Sequence, residues 1–111
     1  MEITQAKQND IVILKLKGRL DTLSSSSLEK KLLDLSEQNE NELIIDFSQL
    51  DFISSSGLRV LLMAGKKLKS VKGKIAFCTL KDHVKEVFDI AGFTILFHMF
   101  PSQEEAMKEL Q

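Results

Sequence analysis

Ser54, Ser55, Ser56 and Gly57 stand between a short apolar run, Leu43-Ile44-Ile45-Asp46-Phe47, and a stretch with helical spacing from Leu58 to about Lys69. Three hydroxyls at a helix start are cap candidates, because their oxygens accept bonds from backbone N–H groups that lack an intrahelical partner. The same place suits a phosphate, since those N–H groups and the positive end of the helix dipole face it. The tetrapeptide can therefore cap, bind an anion or be phosphorylated. Asp21 is the second candidate, because its loop should approach the serines. Taken alone, it reads as a turn residue hydrogen-bonding its own backbone.

Other chemistry has little support. His83 and His98 are the only histidines, and no Cys/His or carboxylate cluster has metal-ligand spacing. His83 reads as exposed on a helix, and His98, in Phe97-His98-Met99-Phe100, as an edge-strand or partly buried residue. The serine tetrapeptide lacks the paired glycines of a nucleophile elbow. No phosphate-cradling G-x-x-x-x-G-K or G-x-G-x-x-G pattern occurs, so a nucleotide site has no motif behind it. A serine without an evident base is a weak nucleophile. No cofactor or metal is expected, and the chain does not read as an enzyme. Asp46 and Asp51 read as turn or cap residues. Lys66, Lys67, Lys69, Lys72 and Lys74 read as a solvated helix face and turn.

The elements that must position the serines follow from periodicity. Ile3-Thr4-Gln5 and Ile11 to Lys17 read as strands joined by a turn at Gln8-Asn9-Asp10. In the second, Val12, Leu14 and Leu16 share one face and Lys15 and Lys17 the other. Gly18-Arg19-Leu20-Asp21 then leaves the sheet. Ser26-x-x-Glu29 reads as a capping box ahead of Leu28, Leu32 and Leu35 at helical spacing. After the apolar strand, Leu58, Leu61, Leu62, Gly65 and Leu68 form one helical stripe. Lys74 to Cys78 is a strand, and Val84, Val87, Phe88 and Ala91 mark a helix that Gly92 is suited to end. A strand near Ile95-Leu96-Phe97 and a helix capped by Ser102-x-x-Glu105 complete the order β-β-α-β-α-β-α-β-α.

Strands alternating with helices imply parallel central strands with helical crossovers, and the first hairpin adds an antiparallel strand. The fold class is therefore α/β, a mixed and mainly parallel sheet with about four helices, in one domain spanning residues 1–111. Functional loops of such sheets gather beyond the carboxyl ends of the strands, so Asp21 and Ser54 to Ser56 are expected on one rim. The formal net charge of −1 gives no electrostatic reason to expect nucleic acid. One cysteine, Cys78, in an apolar strand reads as a buried thiol in a reducing compartment. No apolar run approaches 18 residues and no signal peptide is evident, so a cytoplasmic protein without membrane insertion is expected.

Asp46-Phe47-Ser48-x-Leu50-x-Phe52-Ile53-Ser54-Ser55-Ser56-Gly57-Leu58 resembles the signature of STAS domains, the anti-sigma factor antagonist family. Gly18-x-Leu20-Asp21 is similar to the family's characteristic turn. Val84-x-x-Val87-Phe88-x-x-Ala91-Gly92-Phe93 is similar to its later helix and glycine. The resemblance implies a partner switch: the unphosphorylated antagonist binds an anti-sigma factor that is also a serine kinase, and so releases a sigma factor. The kinase uses ATP to phosphorylate the antagonist, and a metal-dependent serine phosphatase reverses the step. By this resemblance Ser55 is the acceptor, with Ser56 and Ser54 as alternatives, and Asp21, Ser54, Ser55, Ser56 and Gly57 form the partner-binding set. Ser56 would help form the helix start. Ser54 departs from the pattern, standing where the best-known members have Asp. That exchange removes a negative charge beside the acceptor and supplies a third hydroxyl. Competing readings are a STAS subunit of a secretion, biofilm or lipid-transport assembly, and a nucleotide-binding domain.

Overall fold

A computed structural model describes all residues from Met1 to Gln111. Strand β1 (Glu2–Gln8) turns back into β2 (Ile11–Leu20) through Asn9 and Asp10, both with positive φ. Two consecutive positive φ values suit a tight hairpin turn, because their twist matches that of the flanking strands. Helix α1 (Thr22–Glu37) carries the chain to β3 (Glu42–Ile53), and α2 (Ser55–Ser70) carries it to β4 (Lys74–Cys78). Then follow α3 (Asp82–Ile90), α4 (Phe93–Leu96), β5 (His98–Phe100) and α5 (Gln103–Leu110). The sheet order is β1-β2-β3-β4-β5, antiparallel in the first pair and parallel in the others. This is the mixed α/β sheet expected from the sequence.

Several boundaries move. Strand β2 does not leave the sheet at Gly18 but pairs through Leu20, and β3 runs past Phe47 to Ile53. Opposite Lys15 and Lys17 stand Asp46 and Gln49, and opposite Gly18 and Arg19 stand Leu50 and Phe52. Each interval holds one extra residue on β3, which is the signature of a bulge. Two bulges break the two-residue alternation, so the core-facing side chains fall at Phe47, Leu50 and Ile53. Such spacing does not read as a strand in sequence. Asp46 is not a turn or cap: it lies within β3, is buried, and accepts from the Ser48 N–H at 2.8 Å and Gln103 Nε2 at 2.7 Å. Its carboxylate thus serves an N–H that the first bulge takes out of the ladder.

Two cores flank the sheet. On one face Val12, Leu14, Leu16, Ile45, Phe47 and Phe77 meet buried residues of α1, α2, α3 and α4. On the other, Ile11, Ile13, Ile44, Ala76 and Cys78 meet Ala106, Met107 and Leu110 of α5. Central strands covered on both faces lose polar alternation, which explains the unbroken apolar run Leu43-Ile44-Ile45. Phe47, Phe77 and Phe88 form an edge-to-face cluster with centroids 5.2 to 5.7 Å apart, and Phe97 stacks on Phe77 at 4.7 Å.

The chain has five helices rather than about four, because Phe93 to Leu96 forms a helical turn where a strand was expected. Ile95 and Leu96 are exposed there, while Phe93 and Phe97 face the core. The final strand begins at His98 instead, and His98 lies on an edge strand with its side chain exposed. Gly92 follows α3 with φ 79°, the left-handed conformation that ends helices at glycine.

Phe77→Ala is expected to cost about 3–5 kcal/mol in urea unfolding, because it empties the centre of the aromatic cluster. Ile95→Ser, at a side chain 88% exposed, should change stability by less than about 0.5 kcal/mol.

Candidate functional site at two capped helix starts

The bulged ends of β2 and β3 finish side by side. Leu20 pairs with Ile53, and the Ser54 N–H donates to the Leu20 carbonyl at 2.9 Å. Both chains then turn directly into helices, with Asp21 capping α1 and Ser54 capping α2. The rim therefore presents two adjacent helix N-termini, as expected for Asp21 and the serine tetrapeptide.

The capping box of α1 is not Ser26 with Glu29. It is Asp21 with Ser24, nearer the end of β2. The Ser24 N–H donates to Asp21 Oδ1 at 3.0 Å, the Asp21 N–H donates to Ser24 Oγ at 2.9 Å, and Ser24 Oγ donates to the Arg19 carbonyl at 2.7 Å. Hydrogen bonds from Ser24, backbone first and side chain second, hold the Asp21 carboxyl below the usual carboxylate range. The backbone-bonding reading of Asp21 is thus realised as a helix cap.

The three serines of the second start divide their tasks. Ser54 accepts from the Gly57 N–H through its hydroxyl at 3.1 Å, and its carbonyl accepts from the Leu58 N–H at 3.0 Å. Ser54, not Ser56, is the cap. Helix α2 begins at Ser55 rather than Leu58. Ser55 is exposed at the first helical position and Ser56 is half-buried at the second; neither hydroxyl takes part in a side-chain hydrogen bond. Gly57 is buried, and a Cβ there would lie 2.7 Å from Leu20 Cγ and 3.0 Å from Ile53 Cγ1. Its visible task is to seat α2 against the ends of both strands.

The extension of β3 adds side chains that periodicity missed. Asp51 pairs with Lys81, whose ammonium holds the Asp51 carboxyl below its ordinary range. His83 places Nε2 2.7 Å from the Asp51 carbonyl oxygen, so this exposed histidine ties α3 to β3. The Arg19 guanidinium lies 4.1 Å from the centre of the Phe52 ring. Only the extra paired length of β2 and β3 brings Arg19 and Phe52 together.

The other side chains singled out above have simple surroundings. Cys78 is buried, and its thiol is pushed up to about 11 by burial, so it stays protonated. Lys66, Lys67, Lys69, Lys72 and Lys74 are exposed and form no ion pair. Ser102 caps α5 by accepting from the Glu105 N–H at 3.2 Å. No group of three His, Cys, Asp or Glu side chains is placed to hold a metal ion. No helix is long and apolar enough to cross a membrane.

A mixed sheet whose second and third strands deliver two capped helices to one rim is the architecture of a STAS-type domain. The STAS domain family model matches residues 2–106, and the chain belongs to that family. BtrV of Bordetella bronchiseptica, named as an anti-sigma factor antagonist, is 38% identical over 96% of this chain and 91% of its own. In fold, the chain is similar to a Thermotoga maritima protein described as an anti-sigma factor antagonist, with a TM-score of 0.94 at 21% identity, over 97% of this chain and 93% of that one. It is also similar to Bacillus SpoIIAA in its phosphorylated form, with a TM-score of 0.79 at 22% identity, over 99% and 100% of the two chains.

Two variants test the local geometry. Gly57→Ala should lower stability by about 1–3 kcal/mol through overpacking, despite alanine's better helix propensity. Asp21→Asn bears on pH. A carboxyl depressed in the folded state stabilises above its unfolded value of about 3.9, and that contribution is lost as pH falls through the folded value. The gap in melting temperature between wild type and Asp21→Asn should therefore be widest near neutral pH and close on acidification. A gap independent of pH would show that the charged cap contributes nothing.

Proposed function

We propose that this chain is an anti-sigma factor antagonist whose partner binding is switched by phosphorylation at Ser55. The observation that carries the reading is the division of labour at α2: Ser54 is occupied as the cap, whereas Ser55 offers an exposed, unpartnered hydroxyl on the rim. The family and the description borne by the 38% identical relative support the same reading.

In the unphosphorylated state, the rim around Asp21 and Ser54 to Ser56 docks on an anti-sigma factor and displaces its sigma factor. That anti-sigma factor is also a serine kinase, and it transfers the γ-phosphoryl group of ATP to Ser55 Oγ. The Oγ–P bond forms as the bond to ADP breaks, and the hydroxyl proton passes to a base of the kinase. A metal-dependent serine phosphatase later hydrolyses the ester. This chain is the substrate and ligand of these steps, which belong to the cytoplasm.

Electrostatics explains why the modification acts on docking rather than folding. A phosphoserine adds a charge of about −1.5 to −2. At an exposed helix N-terminus, negative charge is favourable by about 0.3–1 kcal/mol. The fold should therefore survive. At the docking surface the same charge, close to the Asp21 carboxylate, opposes a partner patch complementary to the bare rim.

Ser55→Ala should bind the anti-sigma factor as tightly as wild type yet accept no phosphate, while Ser55→Asp should bind at least tenfold more weakly. Calorimetric titration and mass-spectrometric mapping read both outcomes. Phosphate mapped to Ser54 or Ser56, or loss of helical circular dichroism on phosphorylation, would overturn the assignment.

A further inference from the structure

The chain contains two arginines, Arg19 and Arg59. Arg19 is engaged over the Phe52 ring. Arg59 is exposed on α2, pairs with no carboxylate, and makes no side-chain hydrogen bond. It follows Ser55 by four residues in the same helix, so the two side chains are neighbours on one face, with Cβ atoms about 5–6 Å apart. Helical side chains lean toward the N-terminus, which directs a side chain at position 59 back over position 55. An acidic group four residues ahead of a basic one is also the better orientation for such a pair.

We propose that Arg59 is the positioning residue for the phosphate: its guanidinium closes on phosphorylated Ser55 from within α2. The inference rests on the reading of Ser55 as the acceptor and assigns the group that receives its charge. A guanidinium presents parallel N–H donors that match two phosphate oxygens, whereas an ammonium offers a point charge. Ser54 bears on the same chemistry. Being neutral, it places no carboxylate between the helix start and the phosphate, and its hydroxyl is already bonded to the Gly57 N–H. The phosphate then faces the first-turn N–H groups on one side and Arg59 on the other. One guanidinium cancels roughly half of the added charge, so Arg59 sets how much negative charge the rim shows to a partner.

The test uses the full chain with phosphoserine genetically encoded at position 55, in wild type, Arg59→Gln and Arg59→Lys backgrounds. Phosphorus NMR titration reads the second ionisation of the phosphate. Pairing with Arg59 predicts a midpoint roughly 0.15–0.4 pH unit higher in Arg59→Gln than in wild type, since the lost cation no longer favours the dianion. Arg59→Lys should recover part of that shift, and 0.5 M salt should shrink it. The rise in melting temperature on phosphorylation should also be smaller in Arg59→Gln. Equal midpoints in wild type and Arg59→Gln would overturn the proposal. Anti-sigma factor binding, measured on the same phosphorylated proteins, separates the two readings: its loss on phosphorylation in every background upholds the switch even where Arg59 proves idle, and its persistence sinks the switch whatever the titration shows.

Discussion

The site depends on the parallel pairing of β2 and β3 beyond their bulges. Leu20 opposite Ile53, closed by the Ser54 N–H bond to the Leu20 carbonyl, is the last joint between the strands before both chains become helical. Because that joint is shared, the starts of α1 and α2 are held at one rim rather than on independent loops. Gly57 fits beneath only because it has no Cβ to meet Leu20 and Ile53. Backbone pairing, a close approach at glycine and two side-chain caps thus position the candidate hydroxyl.

That joint needs a rigid base. The aromatic cluster of Phe47, Phe77, Phe88 and Phe97 supplies it on the helical face, and α5 covers the other face through Ala106, Met107 and Leu110. Asp46 links the two requirements. Its carboxylate satisfies the Ser48 N–H at the bulge and receives Gln103 from α5, so the polar cost of bending β3 is met inside the fold. A buried carboxylate in the middle of a strand is thereby structural here.

Such rigidity suits a surface switch. A phosphate at an exposed helix start would meet favourable dipole and N–H groups, so the domain would tolerate the proposed charge and a docking partner would feel it. The neutral Ser54 cap and the free Arg59 give this rim a local charge balance different from one in which a carboxylate precedes the acceptor. The same bonding pattern engages the Ser54 hydroxyl as a cap and leaves the exposed Ser55 hydroxyl without a partner.

The sequence by itself determined most element types, the parallel crossovers, the burial of Cys78 and a helix start at the serine tetrapeptide. Those features rest on local periodicity and helix-start chemistry, which short stretches of chain already carry. It did not show where β3 ends, because two bulges replace alternation with a spacing of three. It placed the α1 cap at Ser26, since Ser26-x-x-Glu29 carries the capping-box pattern, whereas the pairing of Leu20 with Ile53 ends β2 just before Asp21 and starts the helix there. It also read a strand near Ile95-Leu96-Phe97, although packing Phe93 and Phe97 on one core places Phe93 to Leu96 in a helical turn. Tertiary structure alone decided which serine caps α2 and which stays free, because that choice depends on the Leu20–Ile53 joint between segments distant in sequence.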